Sequence, residues 1–223
     1  MDMLHELPLF AGLRDEELEA LSLCLGRRVF GRGVFIFHKD SPGQMLYIVE
    51  SGLVRLFVIS DAGQEISLNV CGPGEVFGEL AVLDGRPRSA GAVALETTVT
   101  RTLQREDLLS FLGKCPCLAR NLIELLTTRL RYTTRYVEDL AFLDVNSRVA
   151  ARLLDLASRR GVQRGGIEIE LCLTQAELAT WVVASRESVN KVLVTFRARG
   201  WIAIDGQEIT ILDRRQLERQ VVY

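Results

Sequence analysis

The chain has 223 residues, 48% of them hydrophobic, which is enough apolar material for one large domain or two modest ones. No apolar run approaches the roughly 18 residues of a membrane span, and the acidic start MDMLHE lacks the layout of a secretion signal, so we expect a cytoplasmic protein without membrane contact. The first 144 residues hold 15 basic and 20 acidic side chains, whereas the remainder holds 12 and 9. This asymmetry predicts that only the C-terminal part approaches the phosphate backbone of nucleic acid.

The cysteines are odd in number, scattered and mostly set in apolar runs, which favours buried free thiols over disulfides. Two of them are separated by a single proline, which is too close for ordinary disulfide geometry and lacks the four-ligand spacing of a zinc or iron–sulfur site. A redox role is therefore disfavoured. The cysteines are Cys24, Cys71, Cys115, Cys117 and Cys172.

Residues 8–26 predict a short helical segment, because Leu18, Leu21 and Leu25 recur at helical spacing around an acidic first turn. From Val29 onward the pattern changes to short runs rich in Val, Ile, Phe and Thr, separated by Gly, Pro, Ser and Asp. These runs predict an antiparallel β-roll of about eight strands, a jelly roll. The runs are Val34–Phe37, Met45–Val49, Leu53–Ile59, Glu65–Val70 and Ala92–Leu103.

The stretch Phe77–Ala90, FGELAVLDGRPRSA, interrupts this roll and concentrates groups that can hold a phosphate. Gly78 lets the backbone come close to a ligand without a side chain in the way. Residues 79–84 predict a short helix whose unpaired N–H groups favour an anion. Arg88 offers a planar, permanently charged fork to phosphate oxygens.

Two further polar groups make the predicted ligand a ribose phosphate rather than a free inorganic anion. Ser89 adds a hydroxyl donor, and Glu79 can accept a hydrogen bond from a sugar hydroxyl. A cyclic nucleotide is one such ligand. The alternative is purely structural, because glycines separate the strands of any β-rich domain and Arg88 could pair with Glu79 or Asp84 as a salt bridge.

The order of these residues resembles the phosphate-binding cassette of the cyclic-AMP receptor family. In that family a Gly-Glu-Leu start and a terminal Arg-Ser pair hold the cyclic phosphate and the ribose. The resemblance implies a cyclic nucleotide, most of all cyclic AMP (cAMP), as an allosteric effector, although residues 84–87 are about one residue shorter than in the best-known member. The matching residues are Gly78, Glu79, Leu80, Arg88 and Ser89.

A β-barrel of this kind can also be a metal enzyme of the cupin type, which needs a cluster of histidines inside the barrel. The chain has only His5 and His38, far apart in sequence, so we expect no metal and no catalytic residues. The same scarcity argues against haem sensing, which some relatives perform, although an axial ligand other than His stays open. The prediction is a protein that is not an enzyme.

After Pro116, which suits a helix start, a long helix is predicted to run to about Leu140. Its apolar stripe repeats at spacings of 3, 4, 3, 4 and 3, the seam of a two-stranded coiled coil, and predicts a parallel homodimer. The alternative is that the stripe packs on the roll of its own chain. The stripe consists of Ile123, Leu126, Leu130, Thr133, Val137 and Leu140.

Thr133 and Thr134 place two adjacent hydroxyl groups on this helix. In the cyclic-AMP receptor family two adjacent hydroxyl residues of the long helix meet the adenine, one of them from the opposite subunit, and the following residues 138–145, EDLAFLDV, resemble the family's hinge. The resemblance therefore implies that both threonines contact the effector. A ligand that touches two elements binds their relative placements unequally, which is the condition for shifting a conformational equilibrium.

The C-terminal part predicts a helix-turn-helix after a hinge at Ala141–Val145 and an amphipathic helix Ser147–Arg160 with Val149, Leu153, Leu154 and Leu156 inward. The first helix, 174–181, begins with a capping box of Thr174 and Glu177. A turn at 182–185 leads to a second helix, from Arg186 to about Arg199, capped by Ser185 and ended by Gly200. Trp201–Ile204 and Glu208–Leu212 flank Asp205-Gly206 as a β-hairpin wing.

The second helix carries the side chains that a major-groove reader requires. Arg186 can donate to guanine O6 and N7, Glu187 can accept from cytosine N4, and Lys191 can donate to a base or phosphate. The alternative is a merely solvated surface helix. The segment resembles the winged helix-turn-helix of the same family, with Lys191 where the best-known member has arginine. The predicted DNA-contacting residues are Thr174, Gln175, Ser185, Arg186, Glu187, Ser188, Asn190 and Lys191.

Taken in order, these segments resemble the CRP/FNR family, named after the cyclic-AMP receptor protein and the fumarate–nitrate reductase regulator. The resemblance implies an α+β fold with a β-roll domain (1–116), a dimerisation helix and hinge (117–144) and a winged helix-turn-helix domain (145–223). It implies a homodimeric transcription regulator, controlled by cAMP, that binds double-stranded DNA at a palindromic TGTGA-like site and has RNA polymerase as a partner. The alternatives are a regulator that responds to another signal or to none, and a barrel enzyme fused to a DNA-binding module.

Overall fold

The computed structural model of the chain describes residues 7–163, 167–169, 174–206 and 208–221, with side chains for all of these except 160–163 and 167–169. The chain divides into two compact units, Met1–Arg131 and Tyr132–Tyr223. None of the described helices is long and apolar enough to cross a membrane.

The first unit contains the predicted antiparallel roll. One four-stranded sheet has the order β1-β8-β3-β6 and the other has the order β2-β7-β4-β5, with antiparallel pairing throughout. The strands are β1 (Gly26–Phe30), β2 (Phe35–Phe37), β3 (Met45–Ser51), β4 (Val54–Ile59), β5 (Glu65–Cys71), β6 (Val76–Phe77), β7 (Gly91–Ala94) and β8 (Thr98–Gln104). The predicted fold of this part is confirmed.

Strand β3 links the two cores of the roll, because its successive side chains point to opposite faces of the sheet. Leu46 and Ile48 belong to one apolar cluster, which also includes residues of the surrounding helices. Tyr47 and Val49 belong to the other, together with Phe77. The strand is therefore apolar on both faces, and Tyr47 lies stacked on Phe77 with 5.0 Å between the ring centroids.

Two sequence predictions for the first unit were wrong in detail. Ala92–Leu103 was predicted as one strand, but it forms β7 and β8 in different sheets, with the crossing at residues 95–97. The side chain of Thr98 stabilises this crossing, because its hydroxyl bonds the backbone of Leu53. The predicted helix over 8–26 is a 3₁₀ turn (Pro8–Phe10) followed by α1 (Asp15–Cys24), and Gly26 already begins β1.

The remaining helices of the first unit lie between or after its strands. Helix α2 (Glu79–Asp84) lies between β6 and β7, and α3 (Arg105–Lys114) follows β8. Helix α4 (Pro116–Phe142) begins in the first unit and ends in the second. Its first turns pack on the roll through Leu118 and Leu122, which belong to the same apolar cluster as β3.

The second unit is a helix-turn-helix with a small antiparallel sheet of order β11-β12-β10-β9. The predicted wing is the hairpin of β11 and β12, in which Asp205 pairs with Glu208. Strands β9 and β10 and the last helix were not predicted. The elements are α5 (Val145–Arg160), β9 (Gly161–Gln163), β10 (Ile167–Ile169), α6 (Gln175–Val182), α7 (Arg186–Ala198), β11 (Ile202–Asp205), β12 (Glu208–Ile211) and α8 (Arg214–Gln220).

The hinge is shorter than predicted. Ala141–Val145 was expected to lie outside helices, but only Leu143 and Asp144 do. Asp144 caps the start of the next helix, because its Oδ1 accepts a hydrogen bond from the backbone N–H of Ser147 at 2.8 Å. Helix α5 therefore begins at Val145 rather than at Ser147.

Candidate functional site

Arg88 is the centre of the candidate effector site. Its side chain is only 4% exposed, and its guanidinium lies over the Phe37 ring at 4.2 Å from the centroid. It donates to the backbone carbonyls of Gly78 at 2.6 Å and Met45 at 2.7 Å. Burial lowers the pKa of the guanidinium, although Tyr47 and Glu79 partly oppose this effect. The fold thus holds a permanent positive charge in a poorly solvated position.

The structural alternative for Arg88 was wrong. Glu79 forms its ion pair with Arg129, and Asp84 accepts from the backbone N–H of Arg86. No acidic side chain among the described residues forms a salt bridge with Arg88, and its Nε is buried without a hydrogen-bond partner there. A buried cation that forms no ion pair costs several kcal/mol unless an anion compensates it. The arrangement is therefore suited to an anionic ligand.

Two glycines make room for this guanidinium. Gly78 has φ +78°, in the left-handed region, and an added Cβ would lie 2.5 Å from Nη1 of Arg88. At Gly43 an added Cβ would lie 2.8 Å from Nε of Arg88 and 2.4 Å from Cβ of Ala81. A side chain at either position would force Arg88 or Ala81 to shift, so these glycines are needed for the observed placement of Arg88.

Glu79 is a second buried charge beside Arg88. Its side chain is 2% exposed, and its Oε1 accepts from Nη1 of Arg129 at 2.5 Å. Arg129 also donates to the carbonyl of Val76. Burial is the largest single influence on Arg129 and lowers the pKa of its guanidinium, but the nearby acidic groups, chiefly the Glu79 carboxylate together with Cys71 and Glu75, raise it overall. The other carboxylate oxygen of Glu79 is buried without a partner among the described residues and can accept from a ligand hydroxyl.

Arg129 was not among the site residues predicted from the sequence. It lies 50 residues after Glu79, and no local pattern connects them. The available signal was helical spacing, since Arg129 precedes Thr133 by one turn and so lies on the same side of α4. Ser89 and Leu80, which were predicted, both have exposed side chains.

Thr133 and Thr134 lie in the part of α4 that belongs to the second unit, and both are exposed. Their contact with an effector stays a prediction. The apolar stripe of the same helix is largely exposed, at 63% for Ile123, 68% for Leu130 and 58% for Val137. Leu126 differs, because it is half-buried against the core of the roll.

The two helices of the helix-turn-helix are capped as predicted. The hydroxyl of Thr174 accepts from the backbone N–H of Glu177 at 3.1 Å, and the Glu177 carboxylate accepts from the backbone N–H of Thr174 at 2.8 Å. The hydroxyl of Ser185 accepts from the backbone N–H of Ser188 at 3.1 Å. Between the helices Val183 adopts φ +50°, which turns the chain.

One side of α7 is apolar and buried and the other carries the predicted DNA-contacting side chains. Val189, Val192, Leu193 and Phe196 are buried, whereas Arg186, Glu187, Asn190 and Lys191 are exposed. The structure brings Lys191 to 2.8 Å from Glu187 and the amide of Gln175 to 3.1 Å from Oδ1 of Asn190. An exposed ion pair of this kind contributes little and is easily exchanged for contacts with a base or phosphate.

The described cysteines, Cys24, Cys71, Cys115 and Cys117, are free thiols, and Cys172 lies outside the described residues. In the described part of the chain no group of three His, Cys, Asp or Glu side chains could hold a metal ion. His38 is exposed and stacks on Phe35, with 4.8 Å between the ring centroids.

Known proteins resemble both parts of the chain. Residues 27–115 match the cyclic nucleotide-binding domain family, and residues 147–220 match the Crp-like helix-turn-helix domain family. The chain is 37% identical to the CRP-like cAMP-activated global transcriptional regulator of Mycobacterium tuberculosis, over 98% of each chain. It is 38% identical to the cyclic AMP receptor protein of Thermus thermophilus, over 95% of each chain.

A solved structure shows the same architecture. The c-di-GMP responsive global regulator CLP of Xanthomonas campestris superposes with a TM-score of 0.77 at 26% identity, covering 89% of this chain and 99% of that one. Identity above 30% over nearly the whole chain, together with the two domain matches, establishes the relationship. The chain belongs to the CRP/FNR family of transcription regulators and combines a cyclic nucleotide-binding domain with a DNA-binding helix-turn-helix domain.

Proposed function

We propose that this regulator is a homodimer whose affinity for DNA is controlled by cAMP. The observation that carries the proposal is the buried guanidinium of Arg88, which has no carboxylate partner among the described residues. A cyclic phosphate bound there supplies the ion-pair partner that Arg88 lacks. The free Oε2 of Glu79 accepts from the ribose hydroxyl, and the exposed hydroxyl of Ser89 donates to the phosphate.

The proposed effector site comprises the matching residues of the family cassette and the two hydroxyl residues of α4. The names of two relatives support cAMP, since one is described as cAMP-activated and the other as a cyclic AMP receptor. The proposed effector contacts are Gly78, Glu79, Leu80, Arg88, Ser89, Thr133 and Thr134. No metal takes part in this proposal.

The proposed dimer forms through the exposed apolar stripe of α4. Ile123, Leu130 and Val137 follow the heptad spacing of a coiled coil and expose more than half of their surface. Burying three such side chains against a second copy stabilises association by several kcal/mol, at about 1.5–3 kcal/mol for each fully buried side chain. The domain bounds 1–116, 117–144 and 145–223 are proposed on the same basis.

The proposed DNA site is a palindrome of TGTGA-like half-sites, with centres about one helical turn apart to match a two-fold symmetric dimer. The N-terminal turns of α7 enter the major groove, where Arg186 donates to guanine and Glu187 accepts from cytosine. Lys191 offers a single point charge at the position where an arginine would make a bidentate contact. The residues at the start of α6, Thr174 and Gln175, contact the backbone phosphates. RNA polymerase is the proposed protein partner at promoters.

The decisive experiment measures the affinity for a palindromic duplex with and without cAMP, at one stated salt concentration. We expect cAMP to raise the affinity by roughly 5-fold to 150-fold, the usual range of allosteric coupling. Glu187→Ala and Arg186→Ala should each weaken specific binding, by about 1–3 kcal/mol. Arg219→Ala is the matched control, because Arg219 is exposed on α8 and lies outside the reading helix. If neither α7 substitution changes the affinity for the duplex, the proposed recognition helix is refuted.

A second candidate is the same regulator controlled by another nucleotide. The CLP regulator, which shares this architecture, is described as c-di-GMP responsive. Titration with c-di-GMP beside cAMP separates the two candidates. An effect of c-di-GMP alone on DNA affinity would replace cAMP in the proposal and leave the DNA-binding part unchanged.

A further inference from the structure

A buried arginine in the second unit has no role in the functions described so far. Arg152 of α5 is 7% exposed. Its guanidinium lies over three aromatic rings, at 5.0 Å from the centroid of Tyr136, 5.3 Å from that of Trp181 and 5.7 Å from that of Tyr132. We call these four residues and Asp155 the Arg152 cluster.

Polar contacts fix the orientation of the cluster. Arg152 donates to the hydroxyl of Tyr132 and, at 3.2 Å, to the carboxylate of Asp155. The hydroxyl of Tyr136 donates to the backbone carbonyl of Trp181 at 3.0 Å. A planar guanidinium enclosed by rings and acceptors cannot rotate freely without losing several of these contacts together.

The members of the cluster come from three different helices. Tyr132 and Tyr136 belong to the last turns of α4, Arg152 and Asp155 belong to α5, and Trp181 belongs to α6, the first helix of the helix-turn-helix. The chain leaves helical geometry between α4 and α5 at only two residues, Leu143 and Asp144. The cluster bridges this break, so the end of α4 and the DNA-binding helices form one packed body.

Two of the proposed effector contacts lie between residues of the Arg152 cluster in the sequence. Thr133 and Thr134 are enclosed in sequence by Tyr132 and Tyr136, the two α4 members of the cluster. A displacement of either threonine therefore moves a helical segment whose Tyr136 is hydrogen-bonded to the backbone of Trp181. Arg152 adds contacts on both sides of the non-helical residues 143–144, to Tyr132 and Tyr136 of α4 and to Trp181 of α6.

We propose that Arg152 is a positioning residue that transmits effector binding from Thr133 and Thr134 to the helix-turn-helix. The inference rests on the proposed control by cAMP. It assigns to the Arg152 cluster the energetic coupling between effector and DNA, while neither ligand touches Arg152. Coupling of this kind is measured as the ratio of DNA affinities with and without effector.

The test uses the full-length chain with Arg152→Met, which keeps a long apolar side chain among the rings and leaves the partly exposed Asp155 to solvent. For wild type and variant, cAMP affinity is measured by calorimetry, and DNA affinity is measured with and without saturating cAMP. We expect the cAMP-induced rise in DNA affinity to fall at least fivefold, while the affinity for cAMP changes less than about threefold. Arg152→Lys keeps the charge but not the planar stacking and should restore part of the ratio.

Arg219→Met controls for the loss of one exposed positive charge from the same unit and should keep the wild-type ratio. If Arg152→Met does not fold, Tyr132→Phe is the second variant, because it removes only the hydroxyl that accepts from Arg152. The cAMP-induced rise in DNA affinity should then fall as well, but by a smaller factor. A wild-type ratio in a folded Arg152→Met or Tyr132→Phe protein overturns the proposal. If cAMP does not change the DNA affinity of the wild-type chain, the proposed function itself is refuted.

Discussion

Arg88→Ala gives the most direct test of the effector site. The substitution removes a guanidinium that is buried, stacked on Phe37 and free of a carboxylate partner among the described residues. Truncating one member of a buried, hydrogen-bonded charge pair costs about 2–5 kcal/mol of binding free energy. The dissociation constant for cAMP should therefore rise by about 30-fold or more.

Ligand-induced stabilisation turns this loss into a simple measurement. At a cAMP concentration 100 times the wild-type dissociation constant, binding stabilises the wild-type protein by about 2.7 kcal/mol. For a chain of this size the melting temperature should rise by about 5–11 °C. At the same cAMP concentration the Arg88→Ala protein should gain less than about 1 kcal/mol, because the ligand then exceeds its dissociation constant only about threefold at most. The comparison is independent of any change that the substitution makes to the ligand-free stability.

The assay is differential scanning fluorimetry with and without cAMP, followed by calorimetry. Arg86→Ala is the matched control, because Arg86 lies in the same loop two residues earlier and is exposed. The control should keep the full thermal shift. An undiminished thermal shift and unchanged binding heat in Arg88→Ala would refute the assignment of the phosphate site.

Three further substitutions test the effector site and a helix cap. Gly78→Ala places a Cβ 2.5 Å from Nη1 of Arg88 at φ +78°, so cAMP binding should weaken, whereas Gly63→Ala, at φ +77° with open space around it, should show only the backbone strain of about 1–2 kcal/mol in thermal unfolding. Equal cAMP affinities in the two variants would contradict the crowding argument. Asp144→Ala should cost about 1 kcal/mol of unfolding free energy, since the carboxylate caps α5 through the N–H of Ser147. That hydrogen bond lowers the pKa of Asp144. The stability that the cap contributes should therefore be complete above the ordinary carboxyl pKa and be lost as the pH falls through the lowered value. An NMR titration of the carboxyl group measures this pKa, and a value at the ordinary carboxyl pKa would contradict the cap.

The sequence pattern predicted most of the fold but placed some boundaries wrongly. The turn residues separated β2, β3, β4 and β5 correctly because Gly, Pro, Ser or Asp residues stand in the connection between each pair of these strands. The run 92–103 gave no such signal, and its division into β7 and β8 follows from which sheet each half pairs with. Pairing of this kind joins residues that are far apart in sequence, and it overrides local propensity.

The amino-acid sequence alone was sufficient for features encoded within a few neighbouring residues. The capping box at Thr174, the cap at Ser185 and the short helix 79–84 depend on contacts over three or four positions, so their residue types predicted them. Only the tertiary structure decided which distant groups meet. Glu79 pairs with Arg129 rather than with Arg88, and Arg152 is enclosed by rings from other helices, because packing of the complete chain selects the partner of each buried charge.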